Sequence, residues 1–355
     1  MKNVLIVVIT GVVTLGLLIY AGRKPVEQPP AGPPVVNVPP VEPARTISDA
    51  VAVITPERTQ SHMRLLAGPA FEGRMSGQSG NEKAAAFIKQ EFQRIGVLPA
   101  VNGGYEQAFQ IQNMNTHKEP GNGRTANLVG YLPGQSEETI VVGAHMDHIG
   151  YGPRMSQTPA RREIHFGADD NASGTTALLQ IAEGFATMKG QLRHRVVFVA
   201  FSGEEMGLIG ANFYVAHPVV PLNKTFFMLN MDMIGRSRGQ VSVLGGSSIP
   251  AVAKTAQELG QKYRLQVKLT KECGGGSDQA AFQRKGVPSV FIHTGTHSQY
   301  HTPEDTVDRI DMPGLTGVGR FTFELCWKMG QVGRVAQEVY SIPDRPFTDH
   351  ELPDR

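Results

Sequence analysis

The sequence predicts an α/β fold, a mostly parallel central sheet with helices on both faces. Three observations predict it. Short β-type runs alternate with helical stretches between residues 125 and 329. Residues 196–201 form an unbroken apolar run, as suits a strand covered on both faces. The chain has 355 residues, 40% apolar and 19% charged, an ordinary globular composition with length for one large core plus appendages.

Taken in order, residues 54–66 and 80–95 repeat apolar side chains at spacings of three and four, the helical pattern, and Gly96 stops the second. Residues 125–132 and 138–144 read as strands. After the run at 196–201, further strands are expected at 226–230, 241–244 and 289–293. Helical patterns fall at 172–188, 207–216, 249–263, 278–285 and 312–329. Strands joined through helices run parallel, because the crossover returns each strand in the same direction. No internal repeat interrupts the series.

The ends of the chain read differently. Residues 4–22 carry no charge and are mostly Val, Leu and Ile. That length falls between a signal-peptide core of about 7–15 residues and a spanning helix of roughly 20. Arg23 and Lys24 follow at once, with no Ala-x-Ala cleavage site. Residues 1–24 are therefore read as a hydrophobic signal or anchor. The rest of the chain is expected to be exported, periplasmic or extracellular, held at the membrane by this segment or released after cleavage. Residues 25–45 form a proline-rich linker: eight prolines between positions 25 and 44 favour an extended, semi-rigid spacer. Residues 46–335 are assigned to the catalytic domain and 336–355 to a C-terminal tail.

Charge and cysteine content exclude some functions. A net charge of +2 with no dense Lys/Arg run argues against nucleic acid as a partner. Two cysteines, Cys273 and Cys326, are too few for a zinc-finger framework. Either one disulfide or two unpaired thiols, Cys326 in the core, fits the sequence. Oligomeric state is not legible in it.

The chemistry is carried by five scattered side chains: His145, Asp169, Glu205, Asp232 and His301. Ligands in open α/β sheets bind beyond the carboxyl ends of the strands. His145, Glu205 and Asp232 fall at or just past such ends, and His301 a few residues beyond another. Asp169 precedes the helix expected from residue 172, where a helix N-terminus favours an anionic cluster. Two histidines and three carboxylates can hold two divalent ions, which activate water at neutral pH and polarise a carbonyl oxygen. Asp169 is the expected bridge, with Asp170 and Asn171 capping the helix. Asp147, two residues after His145, shares its side of an extended strand and is expected to support that imidazole. Of the adjacent Glu204 and Glu205, one can ligate while the other, Glu204, moves the water's proton. Tyr300 is a candidate donor to a developing oxyanion, with a packing role equally open. His148 is read as a loop residue or a supporting one.

With these residues in place the chain resembles the M28 family of co-catalytic zinc peptidases. The resemblance runs from about residue 54 to 329. It includes Phe71-Glu-Gly-Arg74, Thr125-Ala-Asn-Leu-Val-Gly-Tyr-Leu-Pro-Gly134, the loop 167–174 and Tyr300-His-Thr-Pro-Glu-Asp-Thr-Val307. It implies two Zn2+ per chain: His145 and Asp232 on one, Glu205 and His301 on the other, Asp169 between them. It also implies Glu204 as general base, Asp147 behind His145, and peptides with a free N-terminus as substrates. Gln279 departs from the pattern, since many relatives have His after the Ser-Asp pair, which leaves the 273–282 loop's effect on the substrate pocket open. Three other readings stand beside the aminopeptidase: a glutaminyl cyclase-type transferase on the same fold, a carboxypeptidase-like or dipeptidase relative, and a non-catalytic envelope binding module.

Overall fold

The computed structural model describes residues 43–44, 46–111, 123–153 and 155–334. Residues 1–24, nearly all of the proline-rich spacer and the 336–355 tail lie outside the described residues. Among the described residues no helix is long and apolar enough to cross a membrane.

The strands are β1 (Leu98–Pro99), β2 (Glu106–Gln110), β3 (Arg124–Leu132), β4 (Ser136–His145), β5 (His194–Phe201), β6 (Thr225–Met231), β7 (Gln240–Leu244), β8 (Gln266–Leu269) and β9 (Ser289–His293). They form one sheet in the order β1-β3-β5-β4-β6-β9-β7-β8, with β2 also on β3. The centre, β5-β4-β6-β9, is parallel throughout. Antiparallel pairings flank it, β3 on β5 and β7 on β9. The expected parallel sheet is thus its core, and the edges make it mixed. Every residue of β6 and β9 is buried, which is why these segments are apolar without alternation.

Helices α1 (Ile47–Ala52), α2 (Pro56–Leu66), α3 (Ser79–Ile95), α4 (Gly174–Thr187), α5 (Ile209–Ala216), α6 (Pro250–Tyr263), α7 (Gln279–Gln283) and α8 (Met312–Val332) cover the sheet. Strand alternation sends Ile140, Val142 and Ala144 of β4 into the core shared with α3, α4, α6 and α8. Val141, from the same strand, turns to the opposite face with Tyr214 of α5 and Phe282 of α7. Helices therefore cover both faces, as expected.

The differences are local. The pattern at 54–66 contains a break: Thr55 caps α2 by accepting from the Arg58 amide, Pro56 opens that helix, and α1 is separate. β2 and β8 went unread because they are short edge strands. β2 buries only alternate residues, one of them Gln107, so it lacks an apolar signature. Cys273 and Cys326 are both free and buried, Cys326 in the main core and Cys273 against Leu244 and Phe291. The disulfide alternative is thereby excluded. Burial pushes both thiols upward and leaves them unreactive.

Candidate metal centre

Four parallel strands deliver their donors to one rim. His145 is the last residue of β4, Glu204 and Glu205 follow β5, Asp232 follows β6, and His301 closes the loop after β9. The helix after β4, α4, is preceded by the 168–173 turn that carries Asp170.

Asp170 lies at the middle of the cluster. Its Oδ1 is 3.4 Å from His145 Nε2, and its Oδ2 is 3.1 Å from His301 Nε2 and 3.6 Å from His148 Nδ1. His145 Nε2 is also 3.3 Å from Asp232 Oδ1, while His301 Nε2 is 2.9 Å from Glu205 Oε2. Three donor groups result, His145/Asp170/Asp232, His148/Asp170/Glu205/His301 and His145/Glu204/Glu205, each with its donor atoms within 4.8 Å of one another. Asp170 belongs to the first two.

The place between the donor groups expected for Asp169 is therefore taken by Asp170. Asp169 turns away: its Oδ1 accepts from the Gly235 amide at 2.6 Å and its Oδ2 lies 3.2 Å from His297 Nε2. Asn171 keeps the capping role, accepting from the Gly174 amide at 2.8 Å, while Asp170 does not cap. Non-helical backbone at Asp170 and Asn171 rotates the first of these side chains toward the histidines. Asp305 fixes that turn by accepting from the amides of Asp169 and Asp170 at 2.9 and 3.1 Å.

Both ligand-type histidines have their tautomer set from behind. His145 Nδ1 donates to the Asp147 carbonyl at 3.2 Å, and His301 Nδ1 to the Met155 carbonyl at 2.8 Å. A carbonyl only accepts, so in the neutral ring each Nε2 presents a lone pair to the cluster. The expected support of His145 by Asp147 thus comes from its backbone. The Asp147 carboxylate stands 3.7 Å from Nδ1, and its Oδ1 accepts from the Glu204 amide at 3.3 Å. Tyr300 stacks on His301 with ring centroids 3.8 Å apart. Gln279 accepts from Asn230 Nδ2 at 3.1 Å and donates to the Gly274 carbonyl, tying the 273–282 loop to β6.

The donor set fits divalent cations. His145 Nε2, His301 Nε2 and Asp232 Oδ1 are buried without a hydrogen-bond partner, a costly state for polar atoms unless a cation takes their lone pairs. Burial opposes a charged imidazole at His145 and His301, but the facing carboxylates outweigh it and push both well above the usual histidine range. That field favours any positive charge placed between the rings. Mixed imidazole and carboxylate donors suit zinc, and also cobalt or manganese. Glu204, 4.0 Å from His145 Nε2, has its carboxyl driven well above the ordinary range, first by burial and then by Glu205, Asp232 and Asp278 against the pull of His145.

Comparison with known proteins matches the same region of the chain. The pattern of peptidase family M28 covers residues 127–326, from β3 into α8. The chain belongs to peptidase family M28. A probable leucine aminopeptidase of Arthroderma otae is 28% identical over 212 residues, 57% of each chain. A probable leucine aminopeptidase 1 of Trichophyton verrucosum is 25% identical over 76% of this chain and 72% of its own length. The chain spans just over half the length of the first of these curated relatives. Its fold resembles that of BSAP, a zinc aminopeptidase from Bacillus subtilis (TM-score 0.60, 15% identity, 79% of this chain and 96% of that one). Porphyromonas gingivalis glutaminyl cyclase is similar in fold as well (TM-score 0.64, 20% identity, 78% and 98%). Family membership accords with the resemblance read from the sequence, and the fold is that of the zinc-dependent exopeptidases.

Sequence reasoning missed Asp170 as the shared donor and undervalued His148, whose Nδ1 lies 2.7 Å from Glu205 Oε1. The signal for His148 was present in its spacing, three residues past His145 on the same strand exit.

Proposed function

We propose that this M28-family chain is an exported aminopeptidase that uses two zinc ions to hydrolyse N-terminal residues from peptides. The observation that carries the reading is the pair of donor groups sharing Asp170, with Glu204 beside them. His145, Asp170 and Asp232 would hold one ion; Asp170, Glu205 and His301 would hold the other, with His148 against Glu205. When bound, such ions lower the pKa of water and polarise a substrate carbonyl. Glu204 takes a proton from the attacking water and passes it to the leaving amine, a role suited to a carboxyl whose surroundings raise its basicity. The Tyr300 phenol, raised by burial and the nearby carboxylates, stays protonated and would donate to the developing oxyanion. The Asp147 carboxylate orients Glu204 through its amide. The relatives named leucine aminopeptidases make leucine the first side chain to test.

The domain limits and export follow the same proposal: residues 1–24 as signal or anchor, 25–45 as spacer, 46–335 as catalytic domain. The test is hydrolysis of free-amine aminoacyl anilides by the purified chain, with metal counted on the same sample. The expected result is cleavage, lost on chelation, at two metals per chain. One metal per chain with no cleavage, and cyclisation of N-terminal glutamine instead, would replace the peptidase by a cyclase.

A further inference from the structure

The Phe71-Glu-Gly-Arg74 motif has no part in the chemistry above, yet Arg74 is the largest fully buried side chain of the described residues, 1% exposed. Its guanidinium faces no carboxylate at ion-pair distance among the described residues. It donates instead to four carbonyls: Nε to Met146 at 2.9 Å, Nη1 to Leu66 at 2.6 Å and Phe166 at 2.8 Å, Nη2 to Gly167 at 2.8 Å. Met146 separates His145 from Asp147, and Gly167 begins the turn that carries Asp170. One side chain thus joins the exit of β4 to the loop of the shared donor.

The backbone around Arg74 continues the same stitching. The Gly150 amide donates to the Gly73 carbonyl at 3.0 Å, and Ser76 Oγ accepts from the Gly203 amide at 2.8 Å, next to Glu204. Residues 73–76 therefore touch three of the rim segments. Holding them there requires three successive left-handed residues, Glu72 (φ 51°), Gly73 (φ 69°) and Arg74 (φ 50°). Two of these are not glycine, and such conformations cost on the order of 1 kcal/mol each and persist only where the surroundings enforce them. A Cβ at Gly73 would lie 2.5 Å from the His165 carbonyl oxygen, so the close approach also needs glycine.

Burying a guanidinium without a counter-ion is expensive. Burial pulls Arg74 down to about 10, and the charges that oppose it belong to Asp170, Asp147, Asp305 and Glu205. The compensation is thus four carbonyl acceptors, with nearby carboxylates beyond ion-pair distance.

We infer that Arg74 is a positioning residue for the metal centre, which sets the spacing between the His145 strand exit and the Asp170 turn. The inference rests on the two-metal reading above. It is tested by zinc titration of the full chain against a competing chelator, for wild type, Arg74→Met and Arg74→Lys, with Co2+ absorption spectra and thermal melts in parallel. Arg74→Met is expected to weaken at least one zinc site about 10- to 100-fold, the usual range for groups behind the ligands, and to change the Co2+ spectrum. Arg74→Lys, which keeps the charge and loses the fork, is expected to fall between. A variant that folds only with zinc present also supports the inference. Folded Arg74→Met with wild-type affinity and spectrum overturns it, as does a variant unfolded with and without zinc, which would make Arg74 a residue of folding alone. Wild type that binds no zinc would fail the metal-centre reading instead.

Discussion

Two buried clusters of charge in this molecule are built on opposite principles. Where α2, α3 and α4 meet, each carboxylate has a cation: Arg94 Nη2 is 2.8 Å from Glu91 and 3.2 Å from Glu183, Arg58 contacts Glu183, and His62 Nε2 is 3.5 Å from Glu91. At the sheet rim, carboxylates face one another and histidines, Arg74 keeps to carbonyls, and donor atoms of His145, Asp232 and His301 are left without partners. The first cluster pairs each carboxylate with a cation from the protein and joins helices. The second has a donor set that fits cations. A buried acidic cluster therefore points to a metal only when its counter-charge is missing, and the comparison can be broken at either end.

The largest effect is expected from Glu204→Gln. If the rim cluster is built for hydrolysis, this change should lower kcat on an aminoacyl anilide by about 10³-fold, the range of a general base. Metal content and melting temperature should stay at wild-type values. Activity that survives the change would remove Glu204 from the reaction. The next effect separates the neighbouring aspartates. Asp170→Asn should cost at least one zinc and roughly 100-fold or more in activity, whereas Asp169→Asn should keep two, because Asp169 faces Gly235 and His297. Metal analysis of the two variants decides it, and zinc loss in the Asp169 variant alone would restore the sequence-based assignment.

That assignment shows where the sequence stops being informative. The sheet core was legible because β4, β5, β6 and β9 are apolar runs, whose ends put His145, Glu205 and Asp232 on one rim. Asp169 and Asp170 carry the same side chain at adjacent positions. Which of them faces inward depends on backbone angles at 170 and 171 and on Asp305 accepting two amides from 135 or more residues away, and no local pattern encodes either. Arg74 is legible only as part of the 71–74 motif, since a buried arginine bonded to carbonyls leaves no periodic trace. The edge strands β2 and β8 escaped for the related reason that half-polar segments at a sheet edge resemble loops.

Metal removal sharpens the contrast in stability. Ligand at 100 times its Kd adds about 2.7 kcal/mol to a site that forms only in the folded state. Chelation should therefore lower the melting temperature by several degrees in wild type, and by the same amount in Arg94→Met, because the helix cluster contains no cation site. Arg94→Met itself should cost about 3 kcal/mol at neutral pH, since it leaves Glu91 and Glu183 partly uncompensated. Its activity per folded molecule should be unchanged. A change in kcat of the folded fraction would mean that the two clusters communicate.

The smallest effect is the pH dependence that Glu91 gives the helix cluster. Burial alone would push the Glu91 carboxyl up, but hydrogen bonds from His62 and Arg94 outweigh it and hold it at about 2. An unfolded glutamate titrates near 4.3. The folded value is the lower one, so the unfolded chain binds the proton more readily. The stabilisation is then fully present above about pH 4.5 and is lost as pH falls toward 2. Its size is on the order of 2 kcal/mol after allowance for screening. Chelated wild type and chelated Glu91→Gln, unfolded in urea at matched pH, isolate it, because carboxylates of the metal centre titrate equally in both. The difference in stability should be widest near pH 6 and narrow steadily below pH 4.5. A difference that stays constant from pH 6 to pH 2.5 would mean that Glu91 acts through shape and packing alone, and the helix cluster would then owe its stability to something other than paired charge.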